Sequence, residues 1–351
     1  MEIYQPFMFD SEGDIRWYLD YSSHPILGDL IYDNGMERLA NGNLYFGDTA
    51  TDKIYEIDML GKILNSWDMP GYGFHHQVLE KPDGNFLVTV NKEGEQTTQD
   101  HIIEIDRLQN TIVKVWDLRE SLQYSRRVLA GDDSNWFHLN AIEYSPDDNC
   151  IIVSGRVQGV VKLTQENEVV WILSPHYGWG FSGDGTDLTN YLLQPLDASG
   201  MAITSMEVID GFANHSDFEW SWGQHAPHLI PNGNIMLFDN GDNRNFVGYG
   251  PYSRNVEYDI DEDNMTIRQV WQYGKERGNE TFSRYFSDVD YDPEDHHVFF
   301  SPGGVINMDR YGKVIELDYS TGDVIFEATV FPPLAVPVTF HRTERMPLYA
   351  D

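Results

Sequence analysis

The chain has 351 residues, 41% hydrophobic and 13% aromatic, which is ample for a packed core and excludes a disordered chain. Its 57 acidic residues outweigh 23 basic ones for a formal charge of -34, which repels nucleic acid and anionic membrane surfaces and removes both as expected partners. No window approaches the ~18 apolar residues of a membrane span, and Met1-Glu2-Ile3-Tyr4 lacks the basic and apolar regions of a signal peptide. The expectation is either a cytoplasmic protein or a chain that begins after a removed leader. Cys150, the single cysteine, stands in the run Cys150-Ile151-Ile152-Val153 and reads as a small buried hydrophobe.

The first predicted element is a strand, Phe7-Met8-Phe9, which turns at Ser11-Glu12-Gly13-Asp14 and returns to close on Trp17. Two kinds of segment then alternate. The first sets a polar residue six positions ahead of a turn opened by Pro or Ala, followed by an apolar strand. Its copies run from Asn34 to Ala40-Asn41-Gly42-Asn43, from His76 to Pro82-Asp83-Gly84-Asn85, and from Asn140 to Pro146-Asp147-Asp148-Asn149. Two more run from His225 to Pro231-Asn232-Gly233-Asn234 and from Ser287 to Pro293-Glu294-Asp295-His296. The second kind is an outer hairpin closing on an aromatic: Ile54 to Trp67, Ile102 to Trp116, Val160 to Trp171, Val256 to Trp271 and Val314 to Phe326.

Paired, the two kinds give five four-stranded units, with pieces left over at both ends. Antiparallel units recurring every ~40 to 50 residues are the pattern of a β-propeller. The reading is therefore all-β: a six-bladed β-propeller forming a single domain over 1–351. The Phe7–Trp17 hairpin and the late run Val336-Pro337-Val338-Thr339-Phe340-His341 would close the sixth blade from both termini. An open stack or sandwich is the alternative; the Trp ending each outer hairpin favours radially packed sheets. One long interval, about 172–221, interrupts the repeat and is rich in Gly and aromatics, as in His176-Tyr177-Gly178-Trp179-Gly180-Phe181. An insertion of that size is a lid, a cleft wall or a packed surface excursion.

In a propeller the innermost strands line an axial channel, so the repeat positions Asn34, His76, Asn140, His225 and Ser287 are expected to converge near one spot. His138 lies two residues before Asn140 and on a strand would face the same side. Arg156 follows an apolar strand, a costly place for a fixed cation unless something anionic meets it. Imidazoles, a guanidinium and neutral donors together make an anion pocket in an acidic molecule, suited to transfer of a tetrahedral anionic group. A histidine can serve as nucleophile and another as acid or base, while Arg and Asn stabilise charge on the oxygens. Taken singly, a strand histidine is more often structural. His24, His101, His176, His215, His228, His296, His297 and His341 are read as structural or surface residues. No zinc spacing is present, acidic strings such as Asp259-Ile260-Asp261-Glu262-Asp263 read as turns, and neither a metal nor a cofactor is expected. A non-enzymatic propeller binding glycans or proteins, and a metal-dependent lactonase-like hydrolase, are the competing readings.

Several stretches resemble the bacterial PAPS-independent aryl-sulfate sulfotransferases, in order along nearly the whole chain. They are Asp14-Ile15-Arg16-Trp17-Tyr18-Leu19, Phe74-His75-His76, Asn135-Trp136-Phe137-His138-Leu139-Asn140, Ile151-Ile152-Val153-Ser154-Gly155-Arg156, Gln224-His225 and Phe238-Asp239-Asn240-Gly241-Asp242-Asn243-Arg244. The span from Trp136 to Arg156 is the most specific. The resemblance implies a ping-pong reaction in which an aryl sulfate donor passes its sulfuryl group to a histidine and a phenolic acceptor collects it. It implies that His225 is the sulfated nucleophile and His138 the acid/base, and that His76, Asn140 and Arg156 hold the sulfuryl oxygens. Ser287 stands where a hydroxyl, often threonine, assists. It also implies a periplasmic or secreted setting, and leaves oligomeric state open. Family members can carry a separate β-rich domain ahead of the propeller, for which this chain has no room, and this chain also lacks a cysteine pair.

Overall fold

The computed structural model describes residues 6–27, 35–126, 133–248, 250–305, 311–331 and 338–346. The chain opens on a hairpin, β1 (Phe7–Phe9) and β2 (Ile15–Tyr18). The first four-stranded sheet follows as β3 (Glu37–Arg38), β4 (Leu44–Asp48), β5 (Lys53–Ile57) and β6 (Ile63–Asp68). The second is β7 (Tyr72–Glu80), β8 (Phe86–Lys92), β9 (His101–Asp106) and β10 (Thr111–Asp117). The third is β11 (Leu139–Ser145), β12 (Cys150–Gly155), β13 (Gly159–Leu163) and β14 (Val169–Leu173). In the fourth, β15 (Gln194–Leu196) adds a parallel edge to β16 (His225–Leu229), β17 (Ile235–Asp239), β18 (Arg254–Asp261) and β19 (Thr266–Tyr273). The fifth is β20 (Ser287–Asp292), β21 (His297–Pro302), β22 (Gly312–Asp318) and β23 (Val324–Val330). Helices among the described residues are short, and none is long and apolar enough to cross a membrane.

Local turn chemistry explains why the strands pair in this register. In three inner hairpins Gly42, Gly84 and Gly233 take φ of 86°, 86° and 88°, a left-handed conformation that costs glycine little. The residue before each accepts a backbone hydrogen bond from the residue after it, at 2.9–3.0 Å for Asn41, Asp83 and Asn232. A glutamate on the third strand then holds the turn from the side. Asn43 donates to Glu56, Asn85 to Glu104 and Asn234 to Glu257. The repeated Asn-Gly-Asn and the repeated strand glutamate are thus two halves of one interaction.

Each sheet is tied to the next by the aromatic that ends its outer hairpin. The indole of Trp17 donates to Met59 O at 2.7 Å, Trp67 to Arg107 O at 2.8 Å, Trp116 to Thr164 O at 3.0 Å and Trp171 to Glu262 Oε1 at 2.7 Å. Trp271 packs at a tilt against Tyr319 at 5.7 Å, and Phe326 meets Phe9 at 6.3 Å. The inner sides of the sheets also adjoin in sequence: β4, next to the inner strand β3, packs on β7, and the inner strands follow, β7 on β11, β11 on β16 and β16 on β20. The result is an all-β, propeller-like arrangement of five sheets, with the β1–β2 hairpin touching both the first sheet and the last.

The structure differs from the sequence reading at the termini. Asn34, Val336 and Pro337 lie outside the described residues. The described part of the late run, 338–341, forms no strand, and among the described residues the only sheet beyond the five is the β1–β2 hairpin. The insertion is largely packed: Leu193, Ile203, Val208, Phe218, Trp220 and Trp222 bury their side chains in a core shared with Val256 and Tyr258 of β18. Cys150 is buried and free.

Candidate active site

Three successive inner strands depart from regular pairing at the same place. Register shifts occur between Phe74 and Val78 in β7, Leu139 and Ala141 in β11, and His225 and His228 in β16. His76, His138 and Ala226 there adopt φ of 56°, 56° and 48°. Such values are uncommon for residues with a Cβ, and a bulge bends the strand and re-aims its side chains. His138 therefore lies just ahead of β11, and the i, i+2 argument that assumed a regular strand does not describe how it reaches its neighbours. It reaches them from its own left-handed backbone, immediately ahead of the bulge between Leu139 and Ala141.

The structure gathers all six residues singled out in the sequence. His76, Asn140, His225 and Ser287 line one cavity, together with Ala141, Ala226, Asp288, His341 and Arg342. The His138 ring lies 5.3 Å from that of His76, and its Nε2 is 3.4 Å from a guanidinium nitrogen of Arg156. Asn140 is buried; its amide nitrogen donates to Gln224 O at 2.8 Å, which uses one hydrogen and leaves the other. Gln224 in turn donates to Gly155 O at 2.8 Å, joining the approach to β16 to the end of β12.

His225 is pinned. Its Nδ1 lies 3.0 Å from Gly223 O and 2.8 Å from Asn240 Oδ1. A carbonyl only accepts, and the Asn240 amide is oriented by donating to Ser283 O at 2.8 Å and to Ser287 Oγ at 2.9 Å. Nδ1 must therefore carry the proton, and the lone pair rests on Nε2.

Burial governs the charge state of the cluster. Together with the nearby Arg156 it lowers the pKa of His225 to about 3 and of His76 to about 4. Burial also depresses His138, helped by His76 and Arg156, and His341, helped by His76 and His225. The four imidazoles are thus uncharged at neutral pH. Arg156 is held over the Tyr285 ring at 4.3 Å, with Asp242 at 3.8 Å; Asp242 also accepts from Arg284 at 2.7 Å. A guanidinium beside neutral imidazoles and amides makes an electropositive recess in an acidic protein.

Sequence reasoning missed three residues here. Asn240 fell within a quoted stretch but received no role, because nothing local marks it as the partner of His225. Asp288, next to the repeat position Ser287, received no role, yet it lines the cavity beside the imidazoles. Burial pushes it up to about 7, and it accepts from Thr343 N at 2.9 Å. His341, read as structural or surface, instead faces the cavity. The other histidines have local partners: His101 lies between Asp100 and Asp117, His297 meets Glu316, and His228 lies 3.1 Å from Glu143. Among the described residues no group of three or more His, Cys, Asp or Glu side chains could hold a metal ion.

Sheets arranged like propeller blades, whose inner strands bring uncharged imidazoles and one guanidinium to a single buried recess, define the class of this protein. The chain belongs to the arylsulfotransferase (ASST) family, whose sequence model matches residues 2–333. It is 33% identical to the arylsulfate sulfotransferase AssT of Escherichia coli and 32% identical to that of Lelliottia amnigena. Each match covers 92% of this chain and 62% of the relative, so the chain spans about 62% of the length of these curated relatives. A crystal structure of a Bacteroides caccae protein of unknown function superposes with a TM-score of 0.54 at 11% identity, over 92% of this chain and 89% of that one. That likeness concerns the fold alone.

Proposed function

We propose that the cavity moves a sulfuryl group from an aryl sulfate to a phenol by a ping-pong reaction, with His225 carrying the group in between. The observation that carries this reading is the pinned ring of His225, whose Nδ1–H is engaged by two oxygens and whose Nε2 lone pair remains for attack.

In the first half-reaction Nε2 bonds to sulfur as the bond from sulfur to the aryl oxygen breaks. The oxygen departs with the electron pair as a phenolate, which solvent protonates after release. The ring becomes a sulfated imidazolium, its positive charge facing Gly223 O and Asn240 Oδ1. In the second half-reaction the phenol oxygen attacks sulfur, the electrons of the N–S bond return to Nε2, and His138 takes the phenol proton. Negative sulfuryl oxygens beside Arg156 raise the basicity that burial takes from His138. Arg156, His76 and the free amide hydrogen of Asn140 donate to those oxygens. Ser287 acts on His225 through Asn240.

Two structural readings accompany this one. The β1–β2 hairpin and the segment after β23 together form a reduced sixth blade, supported by the contacts of Trp17 and Phe9 with the first and last sheets. The insertion at 172–221 forms a wall of the cleft. Kinship with the arylsulfotransferases supports a periplasmic or secreted setting.

The test is incubation with para-nitrophenyl sulfate and a phenol. Nitrophenol is released in proportion to phenol, and peptide mapping before phenol addition finds a labile mass increment on His225. Full activity in His225→Ala, or release that ignores the phenol, overturns the reading.

A further inference from the structure

The segment 338–346 returns from β23 to lie between the inner strands β20 and β3, and it is anchored on both sides of one residue. Ahead of that residue, Phe340 N donates to Gly303 O at 3.0 Å, and the Phe340 ring fills the space over Gly312, where a Cβ would stand 2.1 Å from it. Behind it, Arg342 lies 3.5 Å from Glu37 and 3.9 Å from Asp288, while Thr343 N donates to Asp288 Oδ2 at 2.9 Å. These contacts fix the backbone at His341 and leave its side chain one direction.

That direction is the cavity. The His341 ring packs edge-on against Phe286 at 4.6 Å and stands 6.0 Å from the ring of His76 and 6.4 Å from that of His225. Neither ring nitrogen is hydrogen-bonded to another of the described residues. The ring is half-buried and lines the cavity, so a nitrogen without a protein partner there is left to bond with what enters the cavity. A neutral imidazole keeps one N–H whichever tautomer it adopts, so it always has a donor to offer an anion.

We propose that His341 is a further anion-binding residue of this site, donating its ring N–H to an oxygen of the sulfuryl group held between His76 and His225. The identity of the transferred group rests on the function proposed above; the placement of an anion donor at His341 does not. The segment 338–346 thereby completes a recess that is otherwise lined by the inner strands.

Inorganic sulfate is titrated calorimetrically into the wild-type protein, His341→Ala and His341→Gln, and turnover of para-nitrophenyl sulfate is followed in parallel. One lost charge-assisted hydrogen bond predicts about tenfold weaker sulfate binding in the Ala variant, with a matching rise in donor KM and a smaller fall in kcat. Glutamine keeps a neutral N–H donor and restores most of both. Equal sulfate affinity in wild type and His341→Ala overturns the proposal, as does a folded Gln variant that binds no better than Ala. Should the Ala variant fail to fold, His341→Leu replaces it and the comparison with Gln decides in the same way. Sulfate binding that needs His341 in a protein without aryl-sulfate turnover would sustain this inference and sink the sulfotransferase reading. Turnover through His225 that is indifferent to His341→Ala would do the opposite.

Discussion

Asn240 Oδ1 lies 2.8 Å from Nδ1 of His225, and the same amide donates to Ser283 O and Ser287 Oγ. One side chain on the loop after β17 therefore sets the tautomer of a ring on β16 and is itself set by the residues leading into β20. Replacing Asn240 with Ala releases the ring and leaves a buried hydroxyl short of a partner. Nitrophenol release is expected to fall about 100-fold, within the range that acid–base and orienting groups contribute. Stability should drop by about 1–3 kcal/mol, the cost of leaving buried polar groups unpaired. Initial rates and denaturant melts check the two numbers separately; an unchanged rate would mean that the ring is held by Gly223 O alone.

Arg156 supports a second expectation. Its guanidinium is flanked by Tyr285, Asp242 and His138 Nε2, a set of contacts that a planar fork can make at once. An ammonium is a point charge and cannot. Arg156→Lys is therefore expected to lose about 10- to 100-fold in kcat/KM for the aryl sulfate, corresponding to one or two charge-assisted hydrogen bonds. Steady-state kinetics with para-nitrophenyl sulfate test this, and recovery of wild-type kcat/KM by lysine would show that charge alone suffices.

Stability should depend on pH in two opposed windows. His225 and His76 have pKa values lowered to about 3 and about 4 by burial, below the ordinary 6.5. The unfolded chain therefore binds protons that the folded one refuses, and stability falls as pH drops from about 6.5 toward 4. His228 is the reverse: although burial opposes it, the Glu143 and Asp290 carboxylates raise its pKa to about 9. Its contribution is complete below about 6.5 and is lost as pH rises through 9. Urea melts at pH 5, 7 and 9 should show a maximum near neutrality, and His228→Gln should flatten the alkaline limb while leaving the acid limb in place.

The fold was legible where the chemistry is local. A turn opened by Pro or Ala, an alternating strand and a closing Trp or Phe are each local features, and together they placed the hairpins of all five sheets. The histidines at 76 and 225 were legible because they keep one register in that repeat. What the sequence hid is what depends on long-range placement. The bulges that turn His76 and His138 inward carry no glycine to mark them. Asn240 reaches His225 across a hairpin, and His341 arrives from 265 positions beyond His76, on a segment with no strand of its own. The terminal closure was only partly legible for the same reason: Val338-Thr339-Phe340 alternates like a strand, yet its described backbone is held by single hydrogen bonds such as Phe340 N to Gly303 O.

The ion cluster under β16 links stability to the site. Arg254 is fully buried and donates to Asp239 Oδ2 at 2.8 Å, Glu219 O at 3.0 Å and Gln272 Oε1 at 2.7 Å, while Arg244 donates to the same carboxylate at 2.9 Å. The other oxygen of Asp239 accepts from Trp222 N at 2.9 Å and Gly241 N at 3.1 Å, the backbone on either side of His225 and Asn240. Removing one partner from a buried charge network leaves the rest uncompensated, a cost of about 3–5 kcal/mol. Arg254→Met is therefore expected to lose about that much stability. Because Asp239 then relaxes toward Arg244, the variant should also lose activity at temperatures where it remains folded. Chemical denaturation gives the first quantity, and nitrophenol release well below the melting temperature gives the second. A variant that is destabilised but fully active would separate the ion cluster from the positioning of His225.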